Sequence, residues 1–123
     1  MTYSLRYEKR PWTINGERAG GKWKGIALTK EWRTAFAWLA LEQRIPLLGC
    51  VTVTARPELK NRGHMPDTGA CMGAVKAAID GLVDAGVLED DGPDQVAALT
   101  FCAPVVTGKD ALTIHIERSE VAA

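Results

Sequence analysis

The chain has few cysteines: Cys50, Cys71 and Cys102 form no C-x-x-C pair, and an odd number cannot all pair within one chain. That excludes a disulfide framework and predicts reduced thiols, with Cys50 and Cys102 filling core positions. Long apolar runs are absent, since nothing approaches the roughly 18 residues that span a membrane. The first residues lack the apolar segment of a secretory signal, so no membrane association and a cytoplasmic location are expected. A phosphate loop of the G-x-x-x-x-G-K-[ST] type and a dinucleotide fingerprint are missing, as is any convincing Ser-His-Asp or Cys-His motif. Of the two histidines, His115 is expected on the solvent side of a strand rather than as a general base. His64, Asp67 and Cys71 make an H-x2-D-x3-C spacing that could hold zinc, but no second ligand pair accompanies it.

An excess charge of one sign is also lacking, because the formal net charge is zero. The charges are nevertheless segregated: residues 1–62 hold 12 Lys and Arg against 5 Asp and Glu, whereas residues 63–123 hold 3 against 10. A basic surface attracts phosphate whatever the base sequence, and an acidic pocket repels it until metal ions fill it. Two halves that simply attract one another would carry the same asymmetry.

What is present is ordinary globular composition, 46% hydrophobic and 24% charged, over 123 residues. This predicts one domain with a single core in two layers. Tyr3, Leu5 and Tyr7 alternate with polar residues as in a half-buried strand. Residues 9–25 are basic and glycine-rich, hold Trp12 and Trp23, and show no period, which predicts a loop or arm whose Lys22 and Lys24 lie along phosphates while tryptophans stack on bases or tuck into the core edge. Thr29 can cap a helix to about Arg44, with Trp32, Ala35, Phe36 and Leu39 on one face and Trp38, Leu41 and Ile45 nearly opposite, before Pro46 stops it. The second apolar face calls for a partner subunit or a covering loop.

Residues 47–55 predict a central strand, and residues 56–66, broken by two prolines and a glycine, a long loop in which Arg56, Lys60 and Arg62 are candidate DNA contacts. Two further strands are expected at residues 95–103 and 111–118, joined by a turn at residues 107–110. The order is strand, helix, strand, helix, strand, strand: an α/β (α+β) fold with one mixed sheet covered by two helices, and with the strands flanking the second helix able to run parallel.

That second helix lies in the most informative stretch, residues 67–91. Cys71, Val75, Ala78, Ile79 and Leu82 recur at helical spacing, Asp67 or Thr68 can cap the start, and Gly86 can end the helix in the left-handed region. Lys76, Asp80 and Asp84 then point away from the core. Glu89, Asp90 and Asp91 follow before the Gly92-Pro93 turn signal; three successive carboxylates repel one another, and either open solvent or a divalent cation relieves them.

The pattern D-x8-K-A-A-I-D-G-L-V-D-A-G-V-L-x-D-D, carried by Asp67, Lys76, Asp80, Asp90 and Asp91, resembles the core motif of the RusA-type Holliday junction resolvases, small phage and bacterial endonucleases that cut branched DNA. The likeness is specific over residues 66–91 and weaker at the opening, from Arg10-Pro11 to Asn15. It implies a homodimer in a bacterial or phage-infected cell, acting on branched DNA with Mg2+ or Mn2+. Asp67, Asp90 and Asp91, with Asp80 as a fourth, are the implied metal ligands. Lys76 is the implied phosphate contact, catalytic together with Asp67, Asp90 and Asp91. One departure stands out: where the family places an Asn or an Asp-x-Asp-Asn cluster, this chain has Ala70, Cys71, Met72 and Gly73. The alternative is therefore a catalytically silent DNA-binding or interaction module on the same fold.

Overall fold

The computed structural model describes residues 2–119, without side chains at 15–19. Strand β1 (Thr2–Tyr7) leads into helix α1 (Ile14–Glu42), β2 (Val51–Leu59), α2 (Met72–Asp84), β3 (Val96–Phe101), the two-residue β4 (Val105–Val106) and β5 (Ala111–Arg118). The sheet order is β1-β5-β2-β3, with β4 pairing the far end of β2. β2 runs parallel to β3 across α2, while β5 lies antiparallel between β1 and β2. The fold is thus the expected α+β domain with a mixed sheet and two helices. No helix among the described residues is long and apolar enough to cross a membrane.

Alternation builds the sheet layer. Leu5, Val51, Val53, Ala55, Leu112, Ile114 and Ile116 are buried and meet Trp32 and Phe36 of α1 and Val75, Ala78, Ile79 and Leu82 of α2 in one core. The helices press together where α2 has Gly81: a Cβ there would lie 2.4 Å from the Arg33 carbonyl oxygen and 2.9 Å from the Ala37 nitrogen. Arg33 also clasps Asp84 through Nε and Nη2, at 2.5 and 2.7 Å.

Five expectations are corrected. Residues 9–25 are not one loop, because α1 starts at Ile14 and runs, with a break at Gly21 (φ +78), through Thr29. No apolar stripe announces this part because little of it is packed: from Gly20 to Ala27 only Gly25 is buried. Ile45 is not on the outer face; the chain turns at Arg44 (φ +54), bonds Ile45 N to Ala40 O at 3.2 Å, and buries the side chain. Residues 56–59 extend β2 instead of starting a loop, and β2 begins at Val51, not at residue 47. Pro57 is tolerated there because Ala55 O accepts from Cys102 N and Leu59 O from Thr107 N, so its missing N–H faces the same side, at the break between β3 and β4. Finally α2 starts after Cys71, not at Asp67 or Thr68, with no side-chain cap. Its end is as expected, since Gly86 has φ +81 and Val87 N returns to Leu82 O at 2.9 Å. Cys50 and Cys102 are free but only partly buried, so neither is a full core residue.

Candidate functional site

α2 turns its apolar stripe to the core, which leaves Lys76 exposed on the far side. The chain after α2 comes back past it, because Val87 and Leu88 are buried and pull residues 89–92 against the domain flank. Lys76 Nζ consequently meets Asp91 Oδ2 at 3.0 Å, and the Asp91 N–H donates to Asp90 Oδ1 at 2.8 Å. The Lys76 hydrogen bond and charge hold the Asp91 carboxyl below the usual carboxylate range, with Asp90 adding a smaller pull. Residues fifteen apart in sequence are thereby one exposed cluster.

The other implied ligands lie elsewhere. Asp80 is half-exposed one turn beyond Lys76, and its charge acts on Arg33 of α1. Asp67 lines a cavity of about 490 Å3 with Arg10, Trp12, Lys24 and His64. Among the described residues no three His, Cys, Asp or Glu side chains converge as a metal cage. Asp90 and Asp91 each keep one carboxylate oxygen outside these bonds, two hard donors of the kind magnesium takes when waters and substrate phosphate complete its shell. The pair suits a cation shared with substrate, not an all-protein cage. The zinc spacing comes apart, because Cys71 is buried against the Pro11 carbonyl and burial pushes its thiol up to about 11.

At Gly73, before Lys76, space for a side chain is tight. A Cβ at 73 would sit 3.0 Å from Nε1 and 3.1 Å from Cζ2 of Trp12, so the indole occupies the ground that a side chain there would need. Trp12 is only 9% exposed and forms an edge-on pair with Trp32, so it belongs to the core edge and not to a base-stacking arm. The Asn15 side chain is outside the described residues.

The basic candidates divide between surfaces. Lys24 shares the Asp67 cavity with Arg10 and His64. Lys60 lines a neighbouring cavity with Lys9, Arg10 and Lys109, so Arg10 joins the two. Arg62 is exposed on the turn that follows β2. Arg56 lies across from Thr113 and Arg6 on the sheet face that carries no helix, and Lys22 lines a cavity between α1 and Asp84. His64 and Lys109, which the sequence did not mark as basic candidates, line these two cavities as well. β1 and β2, each antiparallel to β5, both end at this edge, a placement that no period in the sequence shows. His115 is half-buried with Nδ1 2.6 Å from Ser4 Oγ, a structural pair on the uncovered sheet face.

No family model matches the chain, and a search of curated proteins finds no match either.

Proposed function

We propose that this protein is a RusA-like, structure-selective DNA endonuclease that hydrolyses phosphodiesters in branched DNA. The observation that carries the reading is the pairing of Lys76 with Asp91 beside Asp90, exposed and assembled from motif residues fifteen apart. Asp90 and Asp91 would hold magnesium or manganese, which when bound supplies an activated water and neutralises the leaving oxygen of an in-line displacement. Lys76, protonated and screened by Asp91 in the free protein, donates its N–H groups to a non-bridging oxygen of the scissile phosphate, where negative charge grows in the transition state. Asp67 and Asp80 act at a distance from this pair, on the fields of the basic cavity and of Arg33. The test is cleavage, with Mg2+, of a four-way junction, a flap, a fork and a plain duplex; cutting confined to the branched substrates is expected, and no cutting of any would overturn the assignment.

A second reading, a silent DNA-binding module, is favoured by one observation: Trp12 fills the space beside Gly73, so the missing ligand is replaced by packing. Calorimetry with magnesium, with and without junction DNA, separates the two, since the silent module takes up no metal in either case.

Binding itself should respond steeply to salt. With about four phosphate contacts, at Arg10, Lys24, Lys60 and Arg62, a slope of roughly −0.9 per contact makes affinity fall about 150-fold between 50 and 200 mM salt. Replacing Lys24 or Lys60 by Ala should lower the slope by about one each; a flat response in fluorescence anisotropy would place the DNA elsewhere.

We further propose a homodimer. Trp23, Ile26, Trp38 and Leu41 form an outward line along α1, with Trp38 67% and Leu41 54% exposed. Among the described residues the chain before Gly25 continues the helix and does not cover Trp38, and a second copy of the chain is the cover we propose. A two-fold pair also supplies the two equivalent cuts that resolving a junction requires. Sedimentation should give a dimer for the wild type and a monomer for Trp38→Glu/Leu41→Lys; a monomeric wild type at micromolar concentration would refute it.

A further inference from the structure

We infer that the cavity bounded by Arg10, Trp12, Lys24, His64 and Asp67 is a nucleotide-binding site that holds one phosphate and its sugar from a DNA strand, apart from the Lys76–Asp91 cluster. The inference rests on the DNA-binding reading but not on cleavage. Its walls come from three separate segments, the chain after β1, the first half of α1 and the turn after β2, and they bring Arg10, Lys24 and His64 around a single carboxylate. Arg10 Nη2 donates to the His64 carbonyl at 2.8 Å, which ties two of these segments together and sets the guanidinium in the wall. At about 490 Å3 the cavity far exceeds what a bare phosphate needs and falls within the roughly 300–1,000 Å3 of small-molecule sites, as a sugar-phosphate unit requires.

The floor adds to the positive field. Ala70 lines the cavity immediately before α2, a thirteen-residue helix with neither a side-chain cap nor an acid in its first turn, so the positive end of its dipole is not offset locally. At the same turn the Trp12 indole N–H, sealed from solvent beside Gly73, has no acceptor. Being sealed, it contributes field and not a direct ligand contact. Asp67 opposes it: a carboxylate in this wall weakens anion binding, so a bare phosphate is held less well than a short strand.

This gives Asp67 a role opposite to that of a metal ligand, and the opposition is measurable. In magnesium-free buffer, Asp67→Asn should bind a thymidine trinucleotide several-fold more tightly, whereas Lys24→Ala should weaken it about tenfold. His64 and His115 ring signals in NMR report the site directly: the trinucleotide should shift His64 saturably and leave His115, on the uncovered sheet face, in place. Inorganic phosphate over the same range should produce a smaller, non-saturating shift. Equal movement of both histidines, no effect of Asp67→Asn, or inorganic phosphate matching the trinucleotide would each overturn the site. Junction binding that leaves His64 unmoved removes this cavity and leaves the DNA reading intact; a saturable His64 response in a protein that cuts nothing keeps the site and removes the endonuclease.

Discussion

Asp91→Asn is expected to fold as the wild type does, to bind a four-way junction at least as tightly, and to cut it a hundred- to a thousandfold more slowly. The size is that found when one preorganised donor to a developing oxyanion is lost. Two effects act together. The amide is a poorer donor to magnesium, so a cation that Asp90 and Asp91 would share is held less well, and Lys76 is released from its 3.0 Å partner. A free Lys76 keeps its charge and adds to DNA attraction, which is why binding and cutting move in opposite directions. Single-turnover cleavage with anisotropy on the same junction tests this, and a variant that cuts at the wild-type rate would remove Asp91 from the chemistry. The pH dependence follows from the same pair. Because Lys76 lowers the folded Asp91 carboxyl, the pair is present above the unfolded carboxyl's value of about 3.9 and is lost only as pH falls through the lower folded value. Cleavage should therefore show no step from Asp91 between about pH 5 and 9.

Gly81→Val should be the most destabilising single change on α2, costing about 3 kcal/mol or more and lowering the melting midpoint by about 10 °C. The obstruction is main chain: a Cβ at 81 falls 2.4 Å from the Arg33 carbonyl oxygen and 2.9 Å from the Ala37 nitrogen, and neither can move without shifting α1. A spread of the helices would also strain the Arg33–Asp84 clasp and expose Phe36, whose Cβ is the third neighbour. Gly86→Ala is the control. That site has φ +81 but nothing within 4 Å of an added Cβ, so its cost is backbone strain of about 1–2 kcal/mol. Thermal melts of the two variants should differ clearly; equal midpoints would show that the helices part without penalty.

Gly81 lies inside the motif-like run at residues 76–91 as a letter between Asp80 and Leu82, and only the crossing of α1 over α2 shows that no side chain fits there. Lys76 and Asp91 were legible as an outward lysine and an acidic turn, since a 3.6-residue stripe buries Val75, Ala78, Ile79 and Leu82 and fixes the direction of everything between them. Whether the two would meet depended on Val87 and Leu88 finding the core.

What the sequence determined by itself was whatever burial writes as a period: the stripe of α2, the alternation of β1 and β5, the core face of α1 from Trp32 onward, and the stop at Pro46. What only the tertiary structure decided lies where burial is absent or nonlocal. Residues 20–27 of α1 pack too little to leave a stripe, and Pro57 is a strand residue only because its side of β2 faces the gap between β3 and β4. The same holds for the acids. Asp67 and Asp91 look equivalent along the chain, yet the turn after β2 sends one into a basic cavity and the turn after α2 sets the other on Lys76, because each loop is held by the strand or helix that it leaves.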